Sequence, residues 1–406
     1  MADVDVAELP AFPFVSPPSQ PFVPVGEDDL ARLDAPVTRV RLPLGGWAWL
    51  VTRHADVRAV LRAAPTMSSS PWTPGFPLIN PVPPTPEQAA GAFIYMDGID
   101  HVRLRKMLLP EFMLRNVKRV EPLIEQSVIE CLDDIEATGA PADMIRSFAL
   151  PVPSMTICHL LGVPYEEHDY FQKLSLAYMD RASTEDEINA VGEGLTALMV
   201  KVIEQKFVNP GDDLISRLLT EQIGPGNITP QEAMGLGMMV LIAGHETSAN
   251  MIGLSILKLL EHPEHYAALR ETPERAPAIV EELLRYLTVV RGGIPRVAME
   301  DMEIGGQKIK AGEGVLAMIS LANRDPELFP DSAGFDPDRE QLHQHLAFGF
   351  GVHQCIGQPL ARSELRIALV ELSRRFPDLK LARSVSEMPL RPNTVTLGLA
   401  ELPVTW

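Results

Sequence analysis

Residues 229–262 hold the tightest constraint on the fold. Thr229 is a good N-cap, Pro230 suits a first helical position, and Glu232 stands three residues on to complete a capping box. No breaker follows until His262-Pro263. The spacing therefore predicts a helix of about 30 residues, roughly 45 Å long at 1.5 Å per residue. Its MGLGMMVLIAG stretch is apolar on nearly every face, so the helix must cross a core, and a large one.

The chain can supply that core. It has 406 residues, 46% hydrophobic against 22% charged, a balance that folds rather than staying disordered. The apolar run at 233–244 is about half of the roughly 20 residues a membrane span needs, so no span is expected. Lys and Arg number 35 against 54 Asp and Glu, a net charge of −19 that argues against a nucleic-acid binder. Three cysteines, Cys131, Cys158 and Cys355, are too few and odd in number for a disulfide framework. The start, MADVDVAELPAF, has neither a basic n-region nor an apolar h-region. A cytoplasmic protein is the expectation.

Prolines cluster in the first 24 residues and again at 71–86, where PWTPGFPLINPVPPTP excludes regular helix and central strand. A loop of that length carrying Trp72, Phe76, Leu78 and Ile79 is expected to be a lid, spanning about residues 71–96. Before it, TRVRLPLGGWAWLVTRH alternates around a turn and predicts a strand pair at 38–53. From Asp100 onward helical periodicity dominates, as at 120–135 and 213–222. No repeat or linker divides the chain. The expected fold is mainly α with small β-sheets, in a single domain over residues 1–406.

The chemistry is expected at Phe348-Gly349-Phe350-Gly351-Val352-His353-Gln354-Cys355-Ile356-Gly357. Its glycines permit a tight loop whose backbone can approach a flat ligand. A helix is expected to begin near Pro359, which puts Cys355 just before a helix N-terminus. Unpaired N–H groups and the helix dipole there favour a thiolate, the form an axial metal ligand takes. Two other readings exist: an inert buried cysteine, or a zinc site built from His343, His345, His353 and Cys355. Neither accounts for the glycines or for Phe348.

The segment resembles the haem-ligating signature of the cytochrome P450 superfamily, Phe-Gly-x-Gly-x-His-x-Cys-x-Gly. Other stretches fit the same resemblance. Ala243-Gly244-His245-Glu246-Thr247-Ser248, inside the long helix, is similar to the family's oxygen-activation segment, an acid followed by an alcohol. Gly244 costs about 1 kcal/mol mid-helix, and room for haem and dioxygen against the helix is a reason for it. Thr247 can bond back to the carbonyl at i−4 and open a local kink. Glu282-Leu283-Leu284-Arg285 and the later Phe335-Asp336-Pro337-Asp338-Arg339 resemble segments that build a structural ion network from Glu282, Arg285 and Arg339. His101 and Arg105, four apart in HVRLR, with Arg296 and His353, match the family's haem-propionate contacts. Gly98-Ile99-Asp100 stands where many relatives carry Pro-Pro-Glu, so the entry to that helix departs from the pattern.

The resemblance covers essentially the whole chain and is closest to soluble bacterial members of actinomycete type. It implies a cytochrome P450 fold and a haem b with Cys355 as iron ligand, with Phe348, Gly349, Ala243 and Gly244 against the haem. It also implies electrons from NAD(P)H through a separate ferredoxin reductase and ferredoxin. Glu246 and Thr247 would manage protons, and one oxygen atom from O2 would enter a C–H or C=C bond of a lipophilic small molecule. A polyketide or macrolide, a terpenoid or a steroid-like compound of secondary metabolism is expected, with a pocket lined by Met239, Val240, Ala243, Val289, Ile294 and Val395. A basic patch for an acidic ferredoxin is expected from Arg103, Arg105, Lys106, Arg115, Lys118, Arg119, Arg362, Arg366, Arg374 and Arg375. A monomer is expected, with no nucleic-acid or membrane partner. Two other function classes remain beside the monooxygenase. A peroxide-driven haem peroxygenase is opposed by the Glu246-Thr247 pair, and a non-catalytic haem or metal sensor leaves the lid and that pair without purpose.

Overall fold

The computed structural model describes residues 5–14, 22–24, 26, 30, 33, 35–79, 83–178, 180, 182–391 and 394–406. Positions 80–82 of the expected lid and much of the N-terminal proline cluster lie outside the described residues.

Strands β1 (Val37–Arg41) and β2 (Trp47–Val51) are followed by helix α1 (His54–Arg62) and the short β3 (Met67–Ser68). Next come α2 (Gly98–Leu108), α3 (Leu114–Thr138), β4 (Ala142–Asp143) and α4 (Pro151–Leu161). Helices α5 (His168–Tyr178), α6 (Glu185–Val208) and α7 (Leu214–Arg217) precede the central α8 (Pro230–Leu260). The chain continues through α9 (Pro263–Glu271), α10 (Ala276–Leu287), β5 (Ile294–Ala298), β6 (Met302–Ile304) and β7 (Gln307–Ile309). It closes with β8 (Gly314–Ala317), α11 (Ile319–Ala322), α12 (Gln358–Arg375), β9 (Lys380–Leu381) and β10 (Pro403–Thr405).

These elements sort into two compact units. The first holds Met1–Pro83, Ile94–Val102 and Glu281–Cys355. Its five-stranded sheet has the order β1-β2-β8-β5-β3. The expected strand pair is there, antiparallel, with Val37 opposite Val51. Alternation along the strands gives each face its own core. Trp49, Val51, Val315 and Ala317 pack with Val57 and Leu61 of α1. Ala48, Leu50 and Leu316 pack with Phe12 and Met318 on the other face.

The second unit holds Pro84–Phe93, Arg103–Val280 and Ile356–Trp406. It is built around α8, which runs unbroken for 31 residues and packs against α4 and α12. The capping box is complete: Glu232 N–H donates to Thr229 Oγ1 at 3.1 Å, and Thr229 N–H donates to Glu232 Oε2 at 2.8 Å. The helix expected at 120–135 is the middle of α3, and the one at 213–222 is α7 continued by a π-helical turn, Leu218–Ile223. The strands β4, β10 and β9 form a small sheet here. Among the described residues, no helix is long and apolar enough to cross a membrane.

Candidate active site

In the first unit, the loop that ends at Cys355 is fixed by its own backbone. Cys355 N–H donates to the Phe348 carbonyl at 2.8 Å, closing the loop around a 3-10 turn, Gly351–His353. Gly351 sits at φ +76°, and a Cβ there would collide with the Leu61 carbonyl oxygen at the end of α1. Only glycine lets the loop lie this close. The Arg58 guanidinium covers the Phe350 ring at 4.3 Å. Cys355 is exposed, whereas Cys131 and Cys158 are buried. Three residues later in the chain α12 begins, with Pro359 in its first turn and no side-chain cap on its leading N–H groups. The inert-core reading of Cys355 therefore fails on burial.

The zinc reading fails on geometry. His343, His345, His353 and Cys355 do not gather; His345 Nε2 is 3.0 Å from Glu281 Oε2, while His353 faces Asp97. Among the described residues the one group with metal-ligand spacing is His262, Glu264 and His265.

His353 and His101 are brought together, their ring centroids 4.1 Å apart. Asp97 organises this corner. It accepts from Ser68 Oγ at 2.6 Å, Ser69 Oγ at 2.9 Å and Ser69 N–H at 3.0 Å, and lies 3.4 Å from His353 Nε2. Burial would raise its carboxyl, but the hydrogen bonds from His353, Ser68 and Ser69 win and hold it at about 2. Arg296 on β5 is only 6% exposed, and its one hydrogen bond among the described residues goes to the neighbouring Pro295 carbonyl. Burial pushes its guanidinium down to about 10, with Asp97 opposing. A buried cation this poorly paired fits an anionic group that the polypeptide does not provide.

The expected ion network is present. Arg285 Nε is 2.6 Å from Glu282 Oε2, and Arg339 Nε is 3.3 Å from Glu282 Oε1. Val289 is buried in this unit, and half-buried Ile294 packs on the sheet core.

In the second unit, Arg105 lies one turn beyond His101 on α2, with its guanidinium 5.9 Å from the Phe93 ring. On α8, Met239, Ala243 and Thr247 fall four residues apart on one strip that stays partly accessible in a helix most of whose residues are buried. Val240 is buried and Val395 half-buried. Thr247 Oγ1 donates to the Ala243 carbonyl at 2.6 Å, the expected back-bond, although the helix continues without a break. Gly244 corrects the sequence reading: a Cβ there would lie 2.8 Å from Ile157 Cδ1, so its small size serves the contact between α8 and α4. The second half of the lid region meets the start of α8, where Gln231 Nε2 donates to the Glu87 carbonyl at 3.0 Å.

Glu246 is fully buried. Its Oε1 is 3.1 Å from Arg391 Nη2 and accepts from Thr396 Oγ1 at 3.3 Å. Burial raises its carboxyl above the ordinary value, and Arg391, Thr396 and Asn250 pull against that. Next door, Ser248 Oγ donates to Glu364 Oε2 at 2.8 Å, and burial pushes Glu364 up to about 7. Sequence reasoning missed Asp97, Glu364, Arg391, Asn250 and Thr396. Only Glu364 left a signal, an acid at helical spacing from Leu360, Ile367 and Ala368. Several members of the expected basic patch are neutralised by acids: Arg119 by Asp212, Arg366 by Glu121, Arg374 by Glu371 and Arg375 by Asp133 and Glu136. Arg103 pairs with Glu232.

Comparison with known proteins agrees with this chemistry. The family model described as Cytochrome P450 matches residues 85–404. Cytochrome P450-SU2 of Streptomyces griseolus is 43% identical over 389 residues, covering 96% of this chain and 95% of its own length. Pentalenic acid synthase of Streptomyces avermitilis is 42% identical over 386 residues, 95% of each. Among solved structures, CYP105P1 in complex with filipin I superposes with a TM-score of 0.90 at 40% identity, covering 98% of this chain and 99% of that one. The mycinamicin VIII C21 methyl hydroxylase MycCI from Micromonospora griseorubida, bound to mycinamicin VIII, gives 0.89 at 35% identity, covering 98% and 100%.

Proposed function

The chain belongs to the cytochrome P450 family and is a monooxygenase with the fold of that family, and from this premise we propose how its residues divide the work. Cys355 would hold the iron of haem b as a thiolate, with Phe348 and Gly349 of the same loop against the group. Arg296, His353, His101 and Arg105 hold the propionates; the buried, poorly paired Arg296 supports this assignment. Ala243 would lie against the haem from α8. When bound, the haem supplies dioxygen activation, and its thiolate ligand favours O–O cleavage.

The polypeptide controls protons and position. Each oxygen atom inserted consumes two electrons and two protons and releases one water. Glu246, buried yet salt-bridged, takes up protons and passes them on, and the Thr247 hydroxyl, oriented by its bond to the Ala243 carbonyl, carries them from the accessible strip of α8. Met239, Val240, Ala243, Val289, Ile294 and Val395 are the apolar side chains we assign to excluding water and orienting the substrate. That substrate is a lipophilic secondary metabolite of polyketide, macrolide, terpenoid or steroid-like type, hydroxylated or epoxidised. Relatives named for pentalenic acid, vitamin D3 and mycinamicin chemistry support this reading.

Electrons come from NAD(P)H through a separate ferredoxin reductase and ferredoxin. Lys106, Arg115 and Lys118, which have no ion pair among the described residues, are the basic groups left to meet an acidic partner. In this reading residues 1–406 act as one catalytic domain, a cytoplasmic monomer. The exposed Cys355 ahead of an uncapped helix carries the proposal. Its test is the carbon-monoxide difference spectrum of the reduced protein. A strongly red-shifted Soret band that vanishes in Cys355→Ala is expected, and a wild-type protein without haem absorbance overturns the reading.

A further inference from the structure

Arg391, Thr396 and Gly398 lie against one turn of α8, between Glu246 and Asn250. Arg391 Nη2 bonds to Asn250 Oδ1 and lies 3.1 Å from Glu246 Oε1. Asn250 Nδ2 donates to Thr396 Oγ1 at 2.9 Å, and that hydroxyl donates on to Glu246 Oε1 at 3.3 Å. Glu246 Oε2, in contrast, is buried and has no partner among the described residues. Arg391 and Gly398 are themselves joined, with Arg391 N–H donating to the Gly398 carbonyl at 2.9 Å. A Cβ on residue 398 would collide with Asn250 Oδ1 and sit 2.7 Å from Arg391 Nη2, so the guanidinium lies in a cradle that only glycine leaves open.

We propose that Arg391 is a positioning residue for the Glu246 carboxylate: with Thr396 and Asn250 it fixes Oε1 and leaves Oε2 as the oxygen that exchanges protons. This deepens the monooxygenase reading and rests on it. A carboxylate buried mid-helix reverts to the neutral acid unless a cation faces it. The other ionisable groups near it do not serve. His245, adjacent on α8, is pushed down to about 4 by burial and is neutral. Glu364, facing from α12, is bound to Ser248 and carries no positive charge. Helix α4 brings one imidazole, His159, and it is exposed. Arg391 is the cation that keeps Glu246 ionised, and the bonds to Oε1 restrict its rotation. A one-sided hold also leaves the contacts to Oε1 in place while Oε2 gains and loses a proton.

The test uses haem-loaded Arg391→Gln, Arg391→Lys, Thr396→Val and Gly398→Ala, each also in a Glu246→Gln background. Infrared spectroscopy first reads the protonation of Glu246, as a carboxylic-acid band absent from Glu246→Gln. The band is expected at neutral pH in Arg391→Gln and not in wild type or Arg391→Lys. The acid limb of the turnover profile should move up by about one unit or more, a roughly tenfold loss at a pH below it. Product formed per NAD(P)H should fall with it. Gly398→Ala keeps the charge but fills the cradle, and should shift the same way. Thr396→Val should shift less. In the Glu246→Gln background Arg391→Gln should change neither limb nor coupling. A folded Arg391→Gln with no carboxylic-acid band and an unmoved profile overturns the proposal. So does an equal loss in the Glu246→Gln background. If Arg391→Gln does not fold, Gly398→Ala decides by the same two readouts. Should the wild type show no oxygenation, the monooxygenase reading falls, while the infrared titration still reports whether Arg391 holds Glu246 ionised.

Discussion

Glu282 holds Arg285 by both carboxylate oxygens, Nε to Oε2 at 2.6 Å and Nη2 to Oε1 at 2.7 Å, with both side chains sealed from solvent. The remaining guanidinium donors reach the carbonyls of Asn323 at 2.8 Å, Ser332 at 3.0 Å and Gly334 at 3.0 Å. Every N–H of the fork is used, and Arg285 becomes the post on which the loop at 323–334 hangs.

Removing one partner strands the other charge in the core. Glu282→Gln and Arg285→Leu should each cost about 3–5 kcal/mol. Arg285→Lys should do little better, because a point charge cannot span two oxygens and three carbonyls. Urea unfolding measures this directly. A Glu282→Gln midpoint equal to wild type would show that the pair contributes nothing to stability.

Glu364 makes stability depend on pH in an unusual direction. Burial pushes its carboxyl up to about 7 against an ordinary 4.5, with Ser248 and Thr156 opposing. Between those values the native state keeps a proton that the unfolded chain has released. Its share of stability is therefore complete below about 4.5 and is lost as pH rises through about 7, a change of order 2–4 kcal/mol. Glu364→Gln can still accept from Ser248 and never ionises. Its unfolding free energy should fall less than that of wild type between about pH 5 and about pH 8, and an identical pH slope in the two proteins would remove Glu364 as the cause.

What could be read from the sequence was what is local. The capping box at Thr229 and Glu232 works over three residues, so its outline is visible in the chain. The Cys355 loop is likewise closed within eight positions by the bond to the Phe348 carbonyl. Tertiary partners leave no such trace. Nothing around Asp97 marks it as the acceptor for Ser68 and Ser69, and Arg391 reaches Glu246 across 145 positions of chain. The same limit distorts charge counting: Arg366 is neutralised by Glu121 from a helix far earlier in the chain. Gly244 shows a subtler failure, since its place in a motif suggested a ligand where the geometry shows Ile157.

The three cysteines should separate by reactivity. Burial pushes Cys131 and Cys158 up to about 12, so both stay protonated and enclosed at ordinary pH, whereas Cys355 is exposed. Iodoacetamide should label the haem-free native protein once, at Cys355, and the haem-loaded protein not at all. Mass spectrometry of the digested protein reads the site. Label on Cys131 or Cys158 before unfolding would contradict the burial, and equal labelling of Cys355 with and without haem would contradict its role as ligand.

Arg296 gives the sharpest discrimination between a structural and a cofactor-binding role, because the two predict opposite signs. As a structural residue, its loss should destabilise the chain. As a cation kept for an absent anion, it is an uncompensated burden on the haem-free protein, with one bond to the Pro295 carbonyl and a guanidinium pushed down to about 10 by burial. Arg296→Gln should then leave haem-free stability unchanged or raise it by about 1 kcal/mol. In the loaded protein the same change removes a charge-assisted bond to a propionate and should speed haem transfer to apomyoglobin about tenfold or more. Haem-free denaturation and haem-transfer rates measure the two sides independently. A variant less stable without haem, yet as slow to release it as wild type, would make Arg296 a plain structural residue.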